Sequence, residues 1–360
     1  MWWALVIAIA VINGAHLIAP KWANLRIKYN VESPTEYLEV RYNLFTQQLM
    51  VWCGVLLKLF DVGAKWAAIG ILLNIFTGLP LLYGILISGI VSLVYITIGG
   101  LWADVWTDFA QFIIQLLASI VMFIVVMNMM GGAGSVVNMW SELPASHSQW
   151  FNEPYTLTYV LVYFFVVFLS YNGGTWNLAA RYISSPSSKK AKKSAYLSGL
   201  LYLIFPLIIF YPMWAAPILI PGIENPENSY GLLAMELLPS GLVGLVLSGL
   251  FAATMSMTSS DANTISAVIT RDILPNISNR FKGMSQKQGL RIARITTFVF
   301  TFLTLLIGIQ NERFGGVIGL IIEWFGALIG PISVPMILGL LPDLSTQMKL
   351  LLYHPFLLVY

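Results

Sequence analysis

The chain has 360 residues, of which 58% are hydrophobic and only 10% charged, and its mean hydropathy is +0.79. Soluble domains carry about 25% charged residues, so this composition argues against a soluble fold. The net charge of +3 is explained below by membrane topology rather than nucleic-acid binding, and the lone Cys53 forms no internal disulfide and reads as a small buried hydrophobe.

A window of about 20 residues predicts nine membrane helices, near 2–19, 45–78, 80–98, 108–130, 156–178, 195–217, 238–269, 290–309 and 316–341. The expected architecture is therefore an all-α polytopic membrane protein, with a transmembrane domain over 1–341 and a short tail over 342–360, in the cell membrane with the lipid bilayer as its surroundings. Met1 runs into the first apolar segment with no basic stretch, so a cleavable signal is not expected.

The first connection holds Lys21, Arg26, Lys28 and Arg41. Segment 45–78 is longer than the hydrocarbon layer of about 30 Å requires, so it is one strongly tilted helix or is interrupted near Lys58 to Lys65. Within it Asp61 follows Lys58 by three residues and precedes Lys65 by four, which puts all three on one helix face. An acid inside a membrane is costly and marks a functional site by default; a structural ion-pair trio is the alternative. Asp108 lies near the start of a predicted helix after Gly99-Gly100, where it can satisfy free amides. The connection 131–155 has Glu142 and Glu153 but no Lys or Arg.

The next element contains Ser170-Tyr-Asn-Gly-Gly-Thr-Trp-Asn177 inside an otherwise apolar helix. Gly173 and Gly174 each weaken a helix by about 1 kcal/mol relative to Ala. Polar neighbours such as Asn172 can satisfy the backbone groups that unwinding frees, so a mid-membrane break suited to binding solutes or ions is expected. Close helix packing is the bland reading of the same glycines. Arg181, Lys189, Lys190, Lys192 and Lys193 follow, and then the connection 218–237, with Glu224, Glu227 and Glu236 and no basic residue.

Residues 248–272 place Ser256, Ser259, Asn263, Ser266 and Thr270 three and four apart, with Ser260 and Thr264 beside them. That spacing draws one polar stripe along a helix. Hydrocarbon offers such groups no water, so the stripe faces other helices or a hydrated route. Arg271, Arg280, Lys282, Lys287, Arg291 and Arg294 close the segment. If the helices alternate, all three basic connections share one side, which is then cytoplasmic.

Histidines 16, 147 and 354 lie in separate elements and suggest no metal or catalytic group, and no phosphate-binding loop is present. Enzymatic activity and ATP-driven transport are disfavoured. No cofactor and no metal centre are expected from these residues.

Four stretches together resemble the sodium/solute symporter family, with its sugar-type members the nearest pattern: Ser33-Pro-Thr-Glu-Tyr-Leu-Glu-Val-Arg41, Gly99-Gly-Leu-Trp-Ala-Asp-Val-Trp-Thr-Asp-Phe-Ala-Gln111, Tyr171 through Arg181, and Ala252-Ala-Thr-Met-Ser256 through Thr270-Arg-Asp272. The resemblance implies a leucine-transporter-like five-plus-five inverted repeat, here incomplete. The first helix looks like the second of its repeat, so the first core helix is lacking, and the end at Leu350–Tyr360 looks truncated. It further implies sodium-coupled symport of a small polar solute, most simply a sugar, by alternating access. The alternative is an inactive or sensor-like remnant without full coupling.

Carried over residue by residue, the likeness assigns one sodium site to the carbonyl of Ala253 and to Ser256. The second hydroxyl of that site is replaced by Met257, a poor donor for a hard cation. A further sodium site matches Ser259, Ser260 and Asp108. Asp61 falls where sugar-type members place a solute-contacting Asn, Tyr171 where they place an aromatic gate, and Glu323 near another solute contact. Asn172 and Gly173 belong to the broken helix at the solute site. Aspartate at 61 keeps the acceptors and adds charge, so either a sugar with donor hydroxyls or a cationic solute would fit, and Lys58 or Lys65 can neutralise the acid and leave a sugar-compatible site. The role of Asp261, about 100° round the helix from Ser260, stays open.

Overall fold

The structure is a computed structural model that describes residues 2–149, 151–153 and 155–341; the tail expected over 342–360 lies outside them. Apart from a bridge pairing Asn152 with Tyr155, the described residues are helix and loop. Helices close their backbone hydrogen bonds within one segment, which is what hydrocarbon demands.

Helix α1 (Trp2–Leu17) runs almost directly into α2 (Ala19–Tyr29), which ends where Asn30 turns left-handed at φ 55. A short α3 (Tyr37–Arg41) leads to α4 (Leu44–Thr77), whose start is capped by the Asn43 side chain on the Thr46 amide. Helix α4 is unbroken over 34 residues, about 50 Å at 1.5 Å per residue. Of the two readings of segment 45–78, the single long helix is the one realised.

At Gly78 (φ 72) the chain turns by 117° into α5 (Leu81–Met129). This helix is continuous through Gly99 and Gly100, so the segments expected at 80–98 and 108–130 form one rod of 49 residues. Asp108 therefore lies in a helix interior and caps nothing.

Short turns α6 (Ser135–Asn138) and α7 (Ala145–Ser148) precede α8 (Leu157–Leu169). A wide π-type turn at Ser170–Gly174 separates α8 from α9 (Asn177–Ile183). Helix α10 (Ser188–Leu219) carries three internal prolines, and α11 (Ser229–Leu237) leads into α12 (Ser240–Val268). A second π-type turn, Ile269–Ile273, joins α12 to α13 (Leu274–Ile277). Helix α14 (Gln286–Ile309) opens on a Ser285/Gln288 capping box, and α15 (Gly316–Leu338) ends the described chain.

All nine apolar segments fall on helices, but the described residues give seven helices long and apolar enough to span, or eight with the bent α4/α5 pair as one. The difference arises because segments 45–78 and 80–98 form one bent pair, Leu44–Thr77 with Leu81–Val94, rather than two separate spans.

Helix α12 packs against α5, α4 and α14; α15 lies on α4, and α1 on α10. The interior holds Trp22, Trp66 and Trp176, while Phe109, Leu161, Phe298 and Phe302 are exposed on outer faces, as a lipid-facing surface requires. Gly54 makes the notch that receives Trp176: a Cβ there would stand 2.0 Å from its ring.

Candidate ion and solute site

The expected break between α8 and α9 is present. Asn172 leaves helical geometry (φ −101, ψ 17), Gly173 sits at φ +108, and Trp176 at φ 77. The freed groups find partners across the bundle. Trp22 Nε1 donates to the Asn172 carbonyl at 2.9 Å, while Asn172 Nδ2 donates to the carbonyls of Ala10 (3.1 Å) and Phe168 (2.8 Å). The Asn172 side chain thus ties the break to α1. Gly173 serves by its conformation, since a Cβ at its position would meet Trp22 Nε1 at 2.6 Å. Tyr171, one position before Asn172, packs edge-on against Tyr202 at 5.5 Å.

The charges of α4 form a buried tetrad with α12. Asp61 Oδ2 lies 3.0 Å from both Lys58 Nζ and Lys65 Nζ, as the helical spacing predicts. Asp261 of α12 completes it, 2.8 Å from Lys58 and 2.7 Å from Lys65. Two acids and two bases leave the cluster neutral. Its ends differ in access: the Asp61 and Lys65 side chains keep 10% and 15% exposure, whereas Lys58 keeps 6% and Asp261 none. Phe60, next to Asp61, stacks on Trp324 of α15 with ring centroids 3.7 Å apart.

A second cluster lies between α5, α9 and α12. Ser256 Oγ donates to Asp108 Oδ1 at 2.5 Å, and Ser260 Oγ reaches Oδ2 at 3.5 Å. Arg181 Nη2 donates to Asp108 Oδ2 and to Ser260 Oγ, each at 2.6 Å. The adjacent serines divide: Ser259 is fully buried and donates back to the Ser256 carbonyl at 3.1 Å. Ala253 sits one turn before Ser256 on α12, and the Met257 side chain is 54% exposed. Glu323 is exposed on α15, outside both clusters, next to Trp324.

The structure settles the contacts of Asp261, whose role the sequence left open: two buried lysines beside one acid leave a positive charge that burial does not tolerate, and Asp261 neutralises it. One residue escaped the sequence reading. Arg181 read only as a topology charge, and nothing local ties it to Asp108. A third contact joins two of the motif stretches away from these clusters: Ser33 Oγ and Thr35 Oγ1 donate to buried Asp272 at 2.5 Å each, and Gln48 Nε2 donates to its carbonyl at 2.6 Å.

The sodium:solute symporter family model matches residues 1–347. Among curated relatives, a sodium/sialic acid symporter of Aliivibrio fischeri is 28% identical over 86% of this chain and 63% of its own length. A sodium-dependent multivitamin transporter of Oryctolagus cuniculus is 28% identical over 91% of this chain and 52% of its own. A sodium/glucose cotransporter of Vibrio parahaemolyticus is 24% identical, covering 87% and 63%. The chain thus spans about half to two thirds of the length of the curated relatives it matches. A solved structure of a Na+-coupled sialic acid symporter, in a substrate-bound outward-open state, superposes with TM-score 0.78 at 20% identity, covering 94% of this chain and 72% of that one. That likeness establishes the fold.

Proposed function

Since the chain belongs to the sodium:solute symporter family, we propose that it takes part in sodium-coupled symport of a small, electrically neutral polar solute, a sugar being the simplest fit. The family and its relatives are transporters rather than enzymes, and the multi-pass helical fold is that of a membrane protein.

The neutral tetrad carries the choice of solute. A charged solute would have to displace one of its members and leave an unpaired charge in a dry site, which is costly. A polyhydroxylated neutral solute needs no such exchange. At the accessible edge, Asp61 offers acceptors and Lys65 offers donors, so one solute hydroxyl can donate while its neighbour accepts. Tyr171, packed on Tyr202 next to the break, supplies the aromatic gate. Asn172 and Gly173 act through the shape of the break, and Glu323 joins the solute path from α15.

On the same reading, Asp108, Ser256 and Ser260 form the core of the sodium site, because clustered carboxylate and hydroxyl oxygens suit a hard cation. Ala253 and Ser259 lie on the same stretch of α12. The break supplies unwound backbone of the kind secondary transporters use at the midplane, with one helix bundle rocking against the other.

One observation favours the second reading, a sensor-like or inactive remnant. Met257 is exposed where a second hydroxyl is needed, and Ser259 is spent on its own helix. The two readings separate in proteoliposomes loaded with the purified chain. Symport predicts uptake of a labelled sugar driven by an inward sodium gradient and absent when choline replaces sodium. Solute binding without uptake supports the remnant, and gradient-driven uptake of an organic anion or cation in preference to every neutral solute overturns the neutral-solute reading.

A further inference from the structure

The oxygen cluster at Asp108 already faces a cation, and that cation belongs to the chain. Arg181 Nη2 stands 2.6 Å from both Asp108 Oδ2 and Ser260 Oγ, so the oxygens suited to sodium are turned toward a guanidinium. Ser256 meets the opposite carboxylate oxygen at 2.5 Å. Sodium bridging Asp108 Oδ2 and Ser260 Oγ would need the place between them that the guanidinium nitrogen holds. Their occupancy is therefore mutually exclusive.

The contact is also built to open. Arg181 and Asp108 keep side-chain exposures of 38% and 21%, so water reaches the pair and a released guanidinium is solvated rather than stranded. Arg181 sits on α9, which begins directly after the break.

We propose that Arg181 is the chain's own counter-cation at the Asp108–Ser260 site, exchanging with sodium so that arrival of the ion releases α9 from α5 and α12. This rests on the reading of Asp108 as a sodium ligand. Arg181 is a positioning residue: it sets how much sodium is needed and links ion occupancy to the segment that bears the break. Apparent sodium affinity is lowered by the fraction of time that Arg181 holds the carboxylate.

The test is a sodium titration of thermal stability on the purified chain in detergent, with choline keeping ionic strength constant, since an ion that binds the folded state raises its melting temperature. R181Q should lower the sodium midpoint by about tenfold, and millimolar guanidinium chloride should raise it again in R181A while leaving the wild type unmoved. D108N should lose the sodium response. In an otherwise wild-type chain carrying Ser184→Cys at the exposed end of α9, sodium should increase maleimide labelling. An unchanged midpoint in R181Q, with D108N unresponsive, overturns the exchange and leaves the ion site standing. A normal sodium response in D108N removes the ion site and the exchange together. Should R181Q fail to fold, R181A carries the same comparison, because an unchanged sodium midpoint there overturns the exchange.

Discussion

Replacing Asp261 by Asn tests whether the tetrad is a closed electrostatic unit. The amide has the shape of the carboxylate and keeps one acceptor, so the change is almost purely one of charge. Asp261 is fully buried, with Lys58 at 2.8 Å and Lys65 at 2.7 Å. At an effective dielectric of about 20, one unit pair at that distance attracts by about 6 kcal/mol. The desolvation already suffered by the charges and the presence of Asp61 offset much of this, so the measured loss should match that of broken buried pairs, about 3–5 kcal/mol. Adding Lys65→Gln restores neutrality, and the double variant should recover at least about 2 kcal/mol relative to the sum of the single effects. Unfolding in detergent, followed by tryptophan fluorescence, reads all four corners of the cycle. Wild-type stability in Asp261→Asn, or additive effects in the double variant, would refute the idea that four mutually neutralising charges hold α4 to α12.

Asp61→Asn leaves two lysines facing one carboxylate, so it should lower folded yield and, in the folded fraction, change solute affinity or selectivity; unchanged affinity in that fraction would make Asp61 purely structural. Gly173→Ala forces a side chain onto φ +108 and within 2.6 Å of Trp22 Nε1, at a cost of about 1–3 kcal/mol; an unaffected melting temperature would mean that the break relaxes freely. Cysteines at Lys190 and Ser285 should be reachable only from the cytoplasm and one at Asn228 only from outside, as the basic connections require, and labelling of Lys190 from outside intact cells would invert the topology.

Much of this was legible in the chain itself. The apolar segments all became helices because hydrocarbon leaves the backbone no other way to pair its amides over such lengths. The Lys58–Asp61–Lys65 trio followed from helical period alone. The break at Ser170–Asn177 followed from two adjacent glycines among polar residues, and family membership from four motif stretches read together. What the sequence left open were the relations between helices. Asp261 meets lysines 196 and 203 positions away, Arg181 meets Asp108 across 73, and Asp272 meets Ser33 across 239. Local periodicity fixes which residues share a face, but which face meets which depends on the axial height and rotation of two helices set by the whole packed bundle. The same holds for α5, where Gly99 and Gly100 permitted a turn and did not impose one. Whether the rod continued was decided by packing along its length against α4, α12 and α14, and that decision moved Asp108 from a helix start to a helix interior, where its carboxylate can face an ion.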